Sequence, residues 1–165
     1  MSEITIREAR EDELAAVGEL TIDAYRADDF VAEVTGPYAL KLADARPRAE
    51  EAELLVAVDD TGAVLGTVTI APPGSSWAQV SAPDELEFRM LAVSPSARGR
   101  GVGEALTRRV IGRAEELGLR AVTLSSSREM VVAHRLYERL GFRRTPAADW
   151  SPVPGTNLIT YRLDL

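Results

Sequence analysis

The segment Arg98-Gly99-Arg100-Gly101-Val102-Gly103 constrains this chain more than any other stretch of it. Before it, Leu86, Phe88, Met90 and Ala92 alternate with Glu87, Arg89, Leu91 and Val93, the two-residue period of a strand. After it, Val102, Leu106, Val110, Ala114 and Leu117 form one stripe at helical spacing, with Gly118 as a C-terminal stop, so a helix is predicted over 100–117. The chain therefore passes from strand to helix through a glycine-rich turn. Free backbone N–H groups and the positive end of the helix dipole gather at such a start. Glycine lets an anion approach the backbone without a Cβ in the way, and Arg98 and Arg100 can add charged hydrogen bonds to phosphate oxygens. From these residues alone two readings stay open, a tight connection or a phosphate-binding turn. A Walker-type loop would need a Gly-Lys-Ser/Thr ending, which is missing. A dinucleotide fingerprint would need Gly-x-Gly-x-x-Gly after the first strand, whereas Gly99, Gly101 and Gly103 are spaced by two and sit late in the chain.

The rest of the chain supplies a mixed α/β pattern. Ile4-Thr5-Ile6-Arg7 alternates as a first strand, and Leu14, Val17, Leu20 and Ala24 follow at helical spacing behind the acidic first turn Glu11, Asp12 and Glu13. A second helix is predicted over 38–51, disturbed by Pro47. Leu54-Leu55-Val56-Ala57-Val58 and residues 63–70 read as a hairpin around Asp59-Asp60-Thr61-Gly62. The Pro-, Gly- and Ser-rich stretch 71–84 is a long loop with Trp77 in its middle, and loops of that length are often functional. Residues 120–124 form a strand of buried type. Ser126 and Glu129 then read as a capping box opening a helix that runs to Leu140 and stops at Gly141. Phe142-Arg143-Arg144 starts another strand, a Pro-rich loop covers 146–155, and a last strand spans 157–163. The expected fold is α/β, a mixed central sheet of about seven strands flanked by four helices.

Composition narrows the function classes. A chain of 165 residues with 45% hydrophobic and 27% charged residues suits one globular domain. No apolar run reaches the roughly 18 residues of a membrane span, and Met1-Ser2-Glu3-Ile4 does not read as a signal peptide. Cysteine is absent, which excludes disulfides, thiolate metal sites and a cysteine nucleophile, and fits a reducing, cytoplasmic setting. With His134 as the single histidine, no multi-histidine metal site is expected. The net charge of −7 and pI near 4.8 argue against a nucleic-acid partner. That charge either serves solubility or draws in a cationic amine. One lysine, Lys41, among abundant arginine and alanine gives the composition of a GC-rich bacterial genome.

Phe88-Arg89-Met90-Leu91-Ala92-Val93-Ser94-Pro95-Ser96-Ala97-Arg98-Gly99-Arg100-Gly101-Val102-Gly103 resembles the acetyl-CoA motif of the GNAT N-acetyltransferase superfamily, Arg/Gln-x-x-Gly-x-Gly/Ala, matched by Arg98, Gly101 and Gly103. A second signature of that family is similar to Ala133-His134-Arg135-Leu136-Tyr137-Glu138-Arg139-Leu140-Gly141-Phe142. Asp149-Trp150-Ser151-Pro152 and Tyr161-Arg162-Leu163-Asp164-Leu165 resemble a group of bacterial members. The resemblance implies a single GNAT domain over 1–165, with acetyl-CoA as co-substrate and no metal. It implies that Arg98, Gly99, Arg100, Gly101, Val102 and Gly103 hold the CoA pyrophosphate. The backbone of Leu91, Ala92 and Val93, on a strand that splays from the next one, would hold the pantetheine arm and polarise the thioester carbonyl. The implied reaction is direct acetyl transfer to an amine in a ternary complex, since no cysteine exists to carry an acetyl-enzyme. A non-catalytic CoA-binding sensor or subunit, and transfer of a longer acyl group, are the alternatives. The expected partners are acetyl-CoA and an amine, without nucleic acid or membrane, in a monomer or homodimer.

Amine acylation needs a neutral amine, a polarised carbonyl and a proton for the leaving thiolate. The resemblance makes Tyr137 the general acid near the CoA sulfur. The alternative is a packing residue, because Met130, Ala133, Tyr137 and Leu140 share a helical stripe. Glu87 stands where some relatives carry a glutamate base. It could instead pair with Arg89 on the same strand face, and Glu85 is a second candidate. Met130 replaces an asparagine that touches CoA in many relatives. His134 reads as a surface or cap residue rather than a base. Acceptor candidates, each also readable as an ordinary surface-loop residue, are Tyr25, Asp28, Asp29, Phe30, Tyr38, Trp77 and Trp150, with Asp28 and Asp29 suited to a cationic amine.

Overall fold

A computed structural model describes residues 3–27 and 37–165. The chain forms two compact units, Met1–Ile70 with Met90–Arg109, and Ala71–Arg89 with Val110–Leu165. In the first, β1 (Thr5–Glu8) leads through a 3-10 turn, Glu11–Glu13, into α1 (Leu14–Ala27). Two short helices follow, α2 (Pro37–Ala43) and α3 (Arg46–Glu51), then β2 (Glu53–Val58) and β3 (Val64–Ala71). β1 pairs antiparallel with β2, and β2 with β3. The core of this unit packs Leu14 and Val17 of α1 against Ala45, Leu54, Val56 and Val58, and Leu20 and Ala24 against Ala92.

The helix expected over 38–51 is two helices. Pro47 lacks the N–H that a helix interior needs, but fits the first turn of α3, where that donor would have no partner anyway. Arg48, fully buried, then donates to the carbonyls of Lys41, Leu42 and Asp44, taking over acceptors at the end of α2. Five α-helices, rather than four, are present among the described residues.

β4 (Glu85–Val93) and α4 (Val102–Glu116) each contribute residues to both units. The second unit adds β5 (Ala121–Ser127), α5 (Val131–Arg139), β6 (Arg143–Arg144) and β7 (Leu158–Asp164). The strand order is β1-β2-β3-β4-β5-β7-β6, a seven-stranded mixed sheet. β4 and β5 are parallel, joined from Glu85–Ala121 to Glu87–Thr123, whereas β7 runs antiparallel to β5 and β6. α4 ends as its glycine predicts: Gly118 has φ +70°, and the N–H groups of Gly118 and Leu119 bond the carbonyls of Glu115 and Ala114. Leu117 lies beyond the helix and is exposed, so it leaves the predicted stripe.

The capping box at Ser126 and Glu129 is absent. Ser126 stays in β5 opposite Ile159, and Met130 occupies the N-cap of α5 without a side-chain cap. Pairing with β7 carries β5 on to Ser127, which outweighs the local capping preference.

Candidate active site

The turn before α4 is built to leave backbone exposed. After β4, a 3-10 turn, Pro95–Ala97, buries Ala97, and Ser94 N–H bonds Leu65 O at 2.8 Å. Gly99 and Gly101 follow with φ of +80° and +77°. A Cβ added to either meets nothing within 4 Å, so backbone conformation, not crowding, demands glycine there. The space over the turn is open, and Gly99, Arg100 and Gly101 face solvent. Gly101 O accepts the N–H of Ala105 at 3.0 Å, opening the helix ladder. Arg98 Nη2 donates to Ala24 O at the end of α1 (3.3 Å), tying the turn to that helix.

α4 can sit this close to the sheet because β3 carries Gly66. A Cβ there would lie 2.7 Å from Val102 Cγ1 and 3.0 Å from Ala92 O. Sequence reasoning missed Gly66, although a glycine inside a strand pattern is itself a sign of close backbone approach. Just before Leu91, Ala92 and Val93, Met90 has φ +54°, the one positive φ at a non-glycine among the described residues. A left-handed residue within a strand is strained and breaks the regular pleat.

Tyr137 sits at the closing turn of α5. Gly141, with φ +99°, lets its own N–H bond Glu138 O and that of Phe142 bond Tyr137 O. This helix stop brings the side chain after the glycine onto the one five residues earlier. The ring centroids of Tyr137 and Phe142 are accordingly 5.8 Å apart. Phe88 and Tyr161 complete the cluster, at 5.8 and 5.9 Å from Tyr137. The spacing Tyr137-x-x-x-Gly141-Phe142 is thus a helix stop that fixes the tyrosine. Burial pushes the phenol's pKa up, with a smaller contribution from Tyr161, so Tyr137 carries its proton at neutral pH.

Glu87 is fully buried and does not pair with Arg89. Its Oε1 accepts the N–H groups of Gln79 and Val80 at 2.8 Å and of Ser81 at 3.1 Å. Its Oε2 is buried and makes no hydrogen bond among the described residues. Thr123, its register partner on β5, and Ser81 also bury hydroxyls that make no hydrogen bond among the described residues. Glu85 is occupied on both oxygens, by Ala82 N–H on one and by Arg162 and Arg120 on the other. Side chains alternate across a strand, so Phe88 and the Tyr137 cluster lie on the opposite face of β4 from Glu87.

The model of the acetyltransferase (GNAT) family matches residues 14–142. The chain belongs to that family. An uncharacterized N-acetyltransferase of Schizosaccharomyces pombe is 32% identical over 68% of this chain and 63% of its own length. Mycothiol acetyltransferase of Cellulomonas flavigena is 35% identical over 73% of this chain and 37% of its own. The match therefore spans under two thirds of either relative. The fold is shared with yncA of Salmonella typhimurium, solved with its cofactor acetyl-CoA, at TM-score 0.68 and 23% identity over 98% of this chain and 94% of that one.

In this GNAT chain the acceptor candidates lie on several different elements. Asp28, Asp29 and Phe30 lie outside the described residues. Tyr25 and Tyr38 are half-buried on α1 and α2. Trp77 stands in the loop that Glu87 holds, with the Arg89 guanidinium over its ring. Trp150 Nε1 donates to Ser125 Oγ at 2.9 Å, and its backbone bridges Leu158, so it closes the end of β7. His134 is buried rather than on the surface, sharing a hydrogen bond of 3.0 Å with Ser126 Oγ. The unused side-chain cap at Ser126 and the buried His134 explain each other: the serine oxygen is committed to the imidazole. Burial lowers the pKa of that imidazole, which favours its neutral form.

Proposed function

We propose that this GNAT chain, as one domain, is an N-acetyltransferase that moves acetyl from acetyl-CoA to an amine by direct transfer in a ternary complex. One observation carries the reading: a glycine turn at a helix start, with open space over its solvent-facing backbone, where the family motif Arg98, Gly101 and Gly103 falls. A pyrophosphate fits such a turn, which offers N–H donors, the dipole of α4 and the exposed Arg100. Bound acetyl-CoA supplies the acetyl group as a thioester. The strained Met90 and the three-residue register between β4 and β5 support assigning the thioester carbonyl and pantetheine arm to the backbone of Leu91, Ala92 and Val93.

Two groups divide the proton work. Glu87 Oε2 takes the amine proton through one water, because the oxygen is buried and otherwise unused. Glu85 is the weaker candidate, with both oxygens engaged. The neutral amine nitrogen then bonds to the acetyl carbon as the carbon–sulfur bond breaks, Tyr137 donates its phenol proton toward the departing sulfur, and the nitrogen loses its second proton to solvent. Both groups return to their starting protonation by exchange with solvent. No helix among the described residues is long and apolar enough to cross a membrane. A cytoplasmic setting, where acetyl-CoA is supplied, and a monomer or homodimer belong to the proposal.

The test is CoA release from acetyl-CoA across a panel of amines. The expected result is release with at least one amine and incorporation of acetyl on its nitrogen. Acetyl-CoA binding without release for any amine would favour a sensor.

A further inference from the structure

Arg89 occupies an unusual position for a half-buried arginine. It follows Glu87 by two residues and so projects from the same face of β4. Its guanidinium lies 5.4 Å from the centroid of the Trp77 ring, and Nη1 donates to Trp77 O at 3.3 Å. Among the described residues it has no carboxylate within ion-pair distance. A cation–π contact orients a guanidinium and leaves its charge unneutralised, with most of its five donors still to fill. The loop under it is stiff: Pro73-Gly74 sits in a turn closed by Ser75 N–H on Pro72 O, and a second turn closes from Ala78 to Ser75. Glu87 fixes the following residues through three backbone bonds. The guanidinium is therefore held in place by a pre-ordered support, on the same strand face as a carboxylate oxygen that makes no hydrogen bond among the described residues.

We infer that Arg89 binds a carboxylate on the acceptor, so that the substrate class is a small amine that also carries an acid group, such as an amino acid. This rests on the transferase reading above. Residues two apart on a strand are separated by roughly 6.5 Å. An amino acid spans that gap when its ammonium faces the Glu87 side, through water, and its carboxylate takes hydrogen bonds of about 2.8 Å from the guanidinium. Arginine suits this task because its planar fork matches a carboxylate. The chain's net charge of −7 does not oppose it, since surface charges farther than about 8–10 Å are largely screened, while Arg89 would act at contact.

The experiment compares kcat/KM for free amino acids and for their carboxamides, which keep the amine and lose the negative charge. The wild type is expected to prefer the acids by about 30-fold or more. Arg89→Gln should shrink that ratio toward one by raising KM for the acids, and Arg89→Lys, which keeps the charge, should restore part of it. Melting curves on each variant separate loss of the site from loss of the fold, and the wild-type ratio stands without any variant. A wild-type ratio near one, or an equal fall for acid and carboxamide in Arg89→Gln, overturns the inference and makes Arg89 a strut for Trp77. CoA release only with amines lacking an acid group overturns it and leaves the transferase reading intact. No release with any amine removes both.

Discussion

The two side chains proposed to handle protons, Tyr137 and Glu87, sit in different surroundings. Tyr137 is a phenol in an aromatic cluster, whose burial keeps it protonated. Glu87 is a buried carboxylate with one oxygen tied to a loop and the other bare. A packing role and a proton-donor role for Tyr137 both fit its surroundings, and kinetics separate them. Tyr137→Phe keeps the ring stacking, so the protein should fold and bind acetyl-CoA with little change. Its kcat should fall about 100-fold, the range of general acid catalysis, because the hydroxyl acts in the transition state. An unchanged kcat with an active amine would reduce Tyr137 to packing.

At the level of elements, the turn into α4 is the proposed binding element. Gly101 has φ +77° and a vacant space where a Cβ would go. Gly101→Glu places a strained residue, a side chain and a negative charge where a phosphate would sit. Calorimetry on the folded variant should show acetyl-CoA affinity reduced at least about 100-fold, in line with loss of charged hydrogen bonds and added repulsion. Undiminished affinity would refute the turn as the site. The contrasting glycines are Gly66 and Gly18, where crowding and not φ sets the residue. A Cβ on Gly18 would lie 1.9 Å from Ala43 O. These positions let α4 and α1 sit close against their neighbours.

For the molecule as a whole, one contribution to acid stability comes from the tethered carboxylate of Glu13. Arg7 bonds both oxygens of Glu13 at 2.8 Å, and Arg10 N–H adds a third bond. Against the opposing effect of burial, the Arg7 guanidinium holds the Glu13 carboxyl at about 2. The folded value lies below the unfolded one of about 4.3, so the contact stabilises fully above that pH and is lost as pH falls toward 2. Urea unfolding of wild type and Glu13→Gln should therefore differ most near pH 7, with the gap shrinking below about pH 4 and closing only below about pH 2. A gap independent of pH would show that the ion pair contributes nothing to acid stability. Much of the architecture was legible in the sequence, because its devices are local. Two-residue and helical periods reported which faces are buried, and glycines at 118 and 141 marked helix ends whose left-handed φ only glycine adopts readily. The glycine turn into α4, carrying Arg98, Gly101 and Gly103, was legible for the same reason. What the sequence could not show depends on residues far apart in the chain. Pairing with β7 held Ser126 in a strand and turned its oxygen to His134. The loop over 71–84 folded back to occupy Glu87 and left Arg89 on Trp77. Alternation could place Glu87 and Arg89 on one face of a strand, but partners were chosen by which backbone groups the tertiary structure brought within hydrogen-bond reach.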